Sequence, residues 1–166
     1  TYALYQHKHD SRNFNVCSTT NCQVYGGVTA SKAASDAAVE ETAGLVMYYD
    51  GAVIEADYHA SNGGATESSE NVWTAALPYL RGKKDPYEST ISIANYSYEK
   101  SYTAAELTTL LNKKGYTIGT VASVQPAYTD VGNIASITFT DTAGKSVTVK
   151  KENCRLLLSA PSMHFT

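Results

Sequence analysis

One dipeptide constrains the fold of this chain more than any other local feature. Asp50-Gly51 stands between two β-prone runs, residues 45–49 and residues 52–57. Asp-Gly readily adopts the two positive φ angles of a type I′ turn, whose twist matches that of the two strands in a hairpin. The sequence therefore predicts a β-hairpin at this point, and with it antiparallel pairing.

Capping residues at the expected helix ends predict two helices. Residues 31–42 are rich in Ala, with Ser31 as a plausible N-cap and Gly44 just beyond the last turn. Further on, Thr103 and Glu106 have the spacing of a capping box ahead of an apolar Leu stripe. We expect the second helix to serve mainly in packing.

The second half of the chain adds strand signals to these helices. Candidate strands lie at residues 93–98, 121–124, 135–140 and 146–150. The last two are joined across a short polar turn and predict a second hairpin. The pattern as a whole predicts an α+β fold, with a mixed, mainly antiparallel sheet and a few helices. A small C-terminal lobe is an option within that fold.

Composition limits the partners of the chain. Its formal net charge is -3 and it has no basic run, so it lacks the positive footprint that nucleic-acid binding requires. No apolar stretch approaches the roughly 20 residues that span a bilayer, so we expect no transmembrane segment in this chain. Only 17% of residues are charged while Ser, Thr, Asn, Ala and Tyr abound, which is typical of exported bacterial proteins. We therefore expect an extracytoplasmic protein.

The first residues read as the middle of an element. Thr1 is not Met, and no capping residue or targeting pattern precedes the polar-apolar run that it opens. We expect a segment upstream, either a signal sequence, a membrane anchor or a further domain. The protein would then be secreted or anchored through that segment.

Two cysteines form the first candidate site. Cys17 and Cys22 enclose four residues, with His7 and His9 a short way upstream. The pair could form a disulfide in an oxidising compartment, bind zinc together with a histidine, or remain as free, partly buried thiols. A cysteine nucleophile is a weaker alternative, because nothing in the sequence brings a catalytic His and Asn within hydrogen-bond reach.

A long irregular segment, residues 58–88, forms the second candidate site. A segment of this length without regular structure is commonly a binding loop. It contains Trp73 flanked by the acids Glu67, Glu70 and Asp85, an arrangement like a sugar-binding wall with acids beside it. The chain also has 13 Tyr against 3 Phe, and a phenol can both stack on a sugar ring and form hydrogen bonds.

Several segments, in this order and spacing, resemble the SpoIID/LytB family of stage II sporulation protein D and the amidase enhancer LytB. They are residues 1–3 (TYA), 22–25 (CQVY), 58–64 (YHASNGG), 69–73 (SENVW), 78–80 (PYL) and 85–87 (DPY). The resemblance continues more weakly through residues 101–115 and 154–165, so it covers nearly the whole chain. It implies a single SpoIID-type domain over residues 1–166, truncated at its N-terminus. Residues 1–88 would then form a groove and residues 89–166 a packing half.

The resemblance implies peptidoglycan as the substrate, and lytic transglycosylase activity on glycan strands without stem peptides. In that reaction one carboxylic acid protonates the glycosidic oxygen and then acts as base on the sugar's own 6-hydroxyl, which closes a 1,6-anhydro ring. The residues expected to bind the glycan are Gln23, Tyr25, His59, Ser61, Asn62, Gly63, Trp73, Asp85 and Tyr87.

The resemblance assigns no catalytic residue to this chain. The family's catalytic acid is a glutamate upstream of the helix that ends in the TYA signature, which here places it before Thr1. Glu70 is the fallback candidate. The intact protein is thus expected to be an enzyme, while residues 1–166 alone bind without cutting. The alternative is a non-catalytic wall module that presents peptidoglycan to a partner amidase.

The resemblance also bears on zinc. Zinc-binding members are expected to use two Cys and two His, with one His directly before the second Cys. That position is Asn21 here, and Asn is a poor zinc ligand. The resemblance leaves Cys17 and Cys22 with either His7 or His9, and favours a disulfide over zinc as the state of the pair.

Overall fold

The computed structural model describes residues 1–92 and 97–166, which group into two compact units, Thr1–His59 and Ala60–Thr166. This division lies at a different point from the predicted halves, residues 1–88 and 89–166, and the single SpoIID-type domain stays a prediction. Within the described residues, no helix combines the length and apolar character needed to cross a membrane.

The first unit contains two helices and one hairpin. These are α1 (Tyr2–Tyr5), α2 (Ala33–Glu41), β1 (Tyr48–Tyr49) and β2 (Ala52–Val53), with 3₁₀ turns at Asp10–Arg12 and Val28–Ala30. β1 and β2 pair antiparallel, and Asp50 and Gly51 have φ angles of 48° and 75°. The predicted hairpin is therefore confirmed, with strands shorter than expected.

The start of α2 differs from the prediction by one residue. Lys32, not Ser31, is the N-cap, because the 3₁₀ turn at Val28–Ala30 ends at Ser31 and places that residue outside the helix. The Ser31 hydroxyl instead donates to the carboxylate of Asp36 in the first turn, at 2.6 Å. Ser31 is a residue type that favours helix starts, but the 3₁₀ turn before it places the N-cap of α2 one residue later, at Lys32.

The second unit is built on a three-stranded antiparallel sheet in the order β3-β4-β5. Its elements are α3 (Ser69–Val72), α4 (Ala104–Lys113), β3 (Val121–Tyr128), β4 (Ile134–Asp141), β5 (Ser146–Lys150) and α5 (Glu152–Leu157), with a 3₁₀ turn at Glu88–Thr90. β3 extends beyond the predicted residues 121–124 through Pro126, which an edge strand tolerates because the missing N–H is not needed for pairing. The candidate strand at residues 93–98 lies largely outside the described residues.

The hydrophobic core lies in the second unit, on the face of the sheet that carries α4 and α5. Phe139 and Val149 on the sheet and Leu111 on α4 are fully buried there. The Thr103–Glu106 capping box is present, with the Thr103 N–H donating to Glu106 at 2.7 Å. Because the described elements are helices and two antiparallel sheets, the predicted α+β class is confirmed.

Candidate functional site

The predicted site residues divide between the two units, so each group is described within its own unit. The first unit holds Cys17, Cys22, His7, His9, Gln23, Tyr25 and His59. The second unit holds Ser61, Asn62, Gly63, Glu70, Trp73, Asp85 and Tyr87.

The structure selects one of the two candidate histidines. The ligand atoms of His9, Cys17 and Cys22 all lie within 4.8 Å of one another, and His9 Nε2 is 3.3 Å from the Sγ of Cys22. His7 instead places its Nδ1 2.9 Å from the Asp10 carboxylate, on the exposed surface. Cys17 and Cys22 are free thiols. The first candidate site is thus a cluster of two thiols and His9.

His9 is held in this cluster by two neighbours. It is only 5% exposed and stacks on Phe14 with the ring centroids 4.7 Å apart. Arg12 Nη2 lies 2.6 Å from its Nδ1. A guanidinium can only donate, so Nδ1 must accept and the ring proton belongs on Nε2. That proton faces the sulfur of Cys22.

Cys17 has the environment of a reactive thiol. Its Sγ lies 3.2 Å from Thr19 Oγ1. Hydrogen bonds from the Thr19 side chain and backbone, with smaller contributions from Cys22 and His9, lower the pKa of Cys17 to about 6 against an opposing effect of burial. Cys17 is therefore mainly a thiolate at neutral pH, the form that reacts with electrophiles and binds metals.

A zinc ion fits this cluster only in part. Two sulfurs and one imidazole are donor types that zinc prefers, and they are close enough together to share an ion. However, a ligating Nε2 must offer a lone pair, whereas the contact from Arg12 to Nδ1 keeps the proton on Nε2. The arrangement therefore suits a hydrogen bond between His9 and Cys22, and zinc would require Arg12 to leave His9.

Alkylation with iodoacetamide tests the state of Cys17. We expect its labelling rate to reach half of its maximum near pH 6, because the thiolate is the reacting form. Cys154 is the internal control, since burial raises its pKa to about 11. Peptide mass spectrometry across the range from about pH 5 to 9 would measure both rates.

Two outcomes would contradict this assignment. Labelling of Cys17 and Cys22 only after reduction would show a disulfide. A midpoint near the ordinary thiol value of about 8.5 would show that Thr19 does not stabilise the thiolate. A Thr19→Val variant should move the Cys17 midpoint upward, because it removes the donating hydroxyl.

The other predicted residues of the first unit lie on its surface. Tyr25 is 67% exposed and its N–H donates to the Ser18 carbonyl at 3.2 Å. Gln23 and His59 are also exposed. In the same unit, burial raises the pKa of Glu55 and of Asp57, while the charge of Lys8 opposes the rise in both. These two acids had no assigned role in the sequence analysis.

In the second unit, the Ser-Asn-Gly-Gly turn encloses a carboxylate that sequence reasoning missed. Glu88 is buried, and it accepts hydrogen bonds from the Ser61 hydroxyl, from Asn62 N at 2.8 Å and from Gly64 N at 3.2 Å. The Ser61 hydroxyl is the largest cause of its lowered pKa. The Gly-Gly turn, whose successive N–H groups favour an anion, was the available signal.

Asn62, Gly63 and Asp85 belong to the same turn structure. Asn62 Nδ2 donates to Asp85 at 2.8 Å, and the other Asp85 oxygen accepts from Tyr87 N at 3.0 Å. Gly63 has a φ of 70°, which favours glycine. The polar groups of this predicted binding segment therefore bind one another and fix the backbone, while the Tyr87 ring is 76% exposed.

Trp73 is presented on a loop with a fixed backbone. Its side chain is 48% exposed, and it follows α3 as the C-cap. The buried Ser69 hydroxyl donates to the Ala75 carbonyl at 2.9 Å and accepts from Leu77 N at 2.8 Å. Arg81 donates to the Leu77 carbonyl at 3.0 Å. These hydrogen bonds fix the backbone of residues 75–77, directly after Trp73.

Glu70 has a partner that disfavours a role as proton donor. Arg81 binds it through both guanidinium nitrogens, at 2.6 Å from Nη1 to Oε1 and 2.5 Å from Nη2 to Oε2. These hydrogen bonds hold the pKa of Glu70 below its ordinary value. A general acid needs a carboxyl that stays protonated near neutral pH, so the fallback role gains no support from this geometry.

Glu67 anchors the same loop to the turn between β3 and β4. Its carboxylate accepts from Thr129 Oγ1 at 2.6 Å, Asn133 Nδ2 at 3.1 Å and Asn71 Nδ2 at 2.9 Å. Burial alone would raise its pKa, but these hydrogen bonds lower it overall. The ionised Glu67 therefore links the loop that carries Trp73 to the turn between β3 and β4. The second unit thus presents an exposed indole on a loop whose backbone is held in place.

Comparison with known proteins gives matches to one family. Residues 1–49 match the family model described as SpoIID, stage II sporulation protein. The chain is 47% identical over 73 residues to the amidase enhancer of Bacillus subtilis (strain 168), which covers 44% of the chain and 10% of that protein. It is 36% identical over 77 residues to stage II sporulation protein D of the same strain, covering 46% of the chain and 22% of that protein.

An uncharacterised protein of Brachyspira hyodysenteriae is 38% identical over 84 residues, covering 49% of the chain and 23% of that protein. The chain thus spans between a tenth and a quarter of the length of these relatives. The sequence match and the names of the relatives agree with the motifs quoted above. These findings support the resemblance of the chain to the SpoIID/LytB family.

Proposed function

We propose that this chain binds the glycan strands of peptidoglycan, outside the cytoplasm, as the binding part of a lytic transglycosylase that acts on strands without stem peptides. The similarity to SpoIID and to the sporulation protein of Bacillus subtilis supports a role at the cell wall. The observation that carries the proposal within the structure is Trp73, an exposed indole on a loop whose backbone is fixed by Ser69 and Arg81.

An indole in this setting suits a sugar ring. Its flat face can cover the apolar face of a pyranose, while its N–H remains available to a hydroxyl. Ligand sites combine such apolar surfaces with a few placed polar groups. Because the loop is ordered before binding, less conformational entropy is lost when the glycan docks.

The glutamates of residues 58–88 support binding rather than proton donation. Glu67, Glu70 and Glu88 each accept hydrogen bonds that lower their pKa. We therefore assign the proton donor of the transglycosylase reaction to none of these three residues. Their effect is to hold the loop and the Ser-Asn-Gly-Gly turn in place.

A second candidate function is favoured by one comparison. The 47% identity to the Bacillus subtilis amidase enhancer supports a non-catalytic module that presents peptidoglycan to a partner amidase. Both candidates require glycan binding, and their products separate them. Release of 1,6-anhydro sugars from the strands by the intact protein supports the transglycosylase. If the intact protein increases the rate of a partner amidase but releases no 1,6-anhydro sugars, that result supports the non-catalytic module.

Truncation of Trp73 tests the shared requirement. In sedimentation with amidase-treated, peptide-free sacculi, we expect Trp73→Ala to weaken binding about thirtyfold, equivalent to about 2 kcal/mol, as for a central aromatic in an interface. Trp73→Phe should retain much of the affinity because it keeps a flat ring.

Tyr128→Ala is the matched control, since Tyr128 is also a half-exposed aromatic residue of the second unit and lies on β3. It should bind like the unmodified chain. Unchanged binding by Trp73→Ala, with Tyr128→Ala also unchanged, would reject the proposal that Trp73 stacks on the glycan.

A further inference from the structure

Lys151 has a backbone conformation that a lysine rarely adopts. It is the N-cap of α5, with a φ of 54° and a ψ of -142°. Positive φ in this region is tolerated by glycine and is strained for a residue with a side chain. Such strain persists only where the surrounding structure holds the residue, and it commonly occurs at functional sites. The contacts of the Lys151 side chain are therefore candidates for the interaction that compensates this strain.

That side chain reaches the end of α3. Lys151 Nζ donates to the Glu70 carbonyl at 2.6 Å and also to the Trp73 carbonyl. Carbonyls at the C-terminal end of a helix lack partners within the helix, and a lysine ammonium is a favourable donor to them. One ammonium thus binds the last turn of α3 and the peptide group of Trp73 itself.

The backbone of Lys151 is fixed to the sheet at the same time. Its N–H donates to the Ala135 carbonyl on β4 at 2.9 Å. Lys151 follows directly after β5 and precedes α5, so both neighbouring elements belong to the unit that contains the core. Hydrogen bonds from Lys151 to Ala135 and to Trp73 therefore connect the sheet directly to the residue that carries the exposed indole.

We propose that Lys151 is a positioning residue for Trp73. It holds the indole in the orientation that receives a sugar ring of the glycan strand, through the Trp73 carbonyl rather than through contact with the glycan. The inference rests on the proposed function of Trp73 in glycan binding. The hydrogen bonds of the Lys151 ammonium to α3 also offer a compensating interaction for the strained backbone.

The variants Lys151→Gly and Lys151→Met separate this role from a general structural one. Lys151→Gly relieves the strained φ, so the fold should be retained, yet it removes both hydrogen bonds to α3. Lys151→Met keeps the length of the side chain and removes its donors. Lys151→Arg keeps charge and donors and should restore part of the effect. Lys150→Met is the matched control, since Lys150 is the exposed neighbour.

The chain has one Trp, so its fluorescence reports on residue 73 alone. In the full chain we expect Lys151→Gly and Lys151→Met to lower the anisotropy of that fluorescence and to increase quenching by acrylamide about twofold, reflecting a looser indole. Their affinity for peptide-free glycan strands should fall about tenfold, or about 1.4 kcal/mol. Lys150→Met should change none of these values.

The result of Trp73→Ala distinguishes the two proposals. If Trp73→Ala binds glycan strands normally, the proposed function of Trp73 is rejected. If Trp73→Ala loses binding but either Lys151→Gly or Lys151→Met is folded and binds like the unmodified chain, the positioning role of Lys151 is overturned. Unchanged anisotropy and quenching in a folded Lys151 variant overturns it as well.

Discussion

Replacing Phe139 by alanine is expected to lower the free energy of unfolding of the second unit by about 3–5 kcal/mol. Phe139 is fully buried at the centre of β4 and packs in the same cluster as Leu111 and Val149. The truncation removes apolar contacts and leaves a cavity that close-packed neighbours fill only in part. Since whole domains are stable by only about 5–15 kcal/mol, this loss is a large fraction of the stability of the unit.

Urea denaturation followed by the fluorescence of Trp73 measures this effect, because Trp73 and Phe139 lie in the same unit. Val124→Ala is the matched control. Val124 is the cross-strand partner of Phe139 on β3, but it is 46% exposed, so its truncation should cost less than about 0.5 kcal/mol. A loss below about 1 kcal/mol for Phe139→Ala would mean that Phe139 does not anchor the core.

The parts of the fold that were predicted correctly are those set by neighbouring residues. Asp50-Gly51 specifies its hairpin because both positive φ angles are local properties of the two residues. Thr103 and Glu106 bind each other within one turn, so their spacing was sufficient to predict the start of α4. β4 and β5 are joined by a short turn and pair within a few residues.

The parts that were missed depend on residues far apart in the chain. α5 begins at Glu152, and its N-cap Lys151 has a positive φ and makes no side-chain cap hydrogen bond, so the sequence shows no start signal. Glu88 is buried because Ser61 and Asn62 surround it from 26 or more positions away. No periodic pattern reports such a contact, and the acid appeared in the sequence only as one of several in a loop.

The candidate sites show the same limit. Sequence reasoning identified Cys17, Cys22 and two histidines, but it could not choose between His7 and His9. The choice depends on Phe14, which stacks on His9, and on Arg12, which binds its Nδ1. Neither Phe14 nor Arg12 belongs to a recognisable sequence motif, and their contacts with His9 form only when the loop is folded.

The second large effect is expected for Glu88, and it depends on pH. The Ser61 hydroxyl and the N–H groups of Asn62 and Gly64 favour the ionised carboxylate and lower its pKa. A carboxyl whose folded pKa is below its unfolded value of about 4.3 contributes stability that is fully present above that value. This contribution is lost as the pH falls through the lower folded pKa. The melting temperature of the unmodified chain should therefore decrease on acidification below about pH 4.3.

Glu88→Gln should lower the melting temperature at neutral pH and flatten its dependence on pH in that acidic window. A neutral amide has one accepting oxygen, so its NH₂ group faces donors that the second carboxylate oxygen now binds, and a buried donor without a partner is costly. Circular dichroism melts from about pH 3 to 7 would measure both effects. Glu99→Gln, at an exposed position, should leave the neutral melting temperature unchanged. Equal melting curves for Glu88→Gln and Glu99→Gln would show that the Ser-Asn-Gly-Gly turn does not depend on the Glu88 carboxylate.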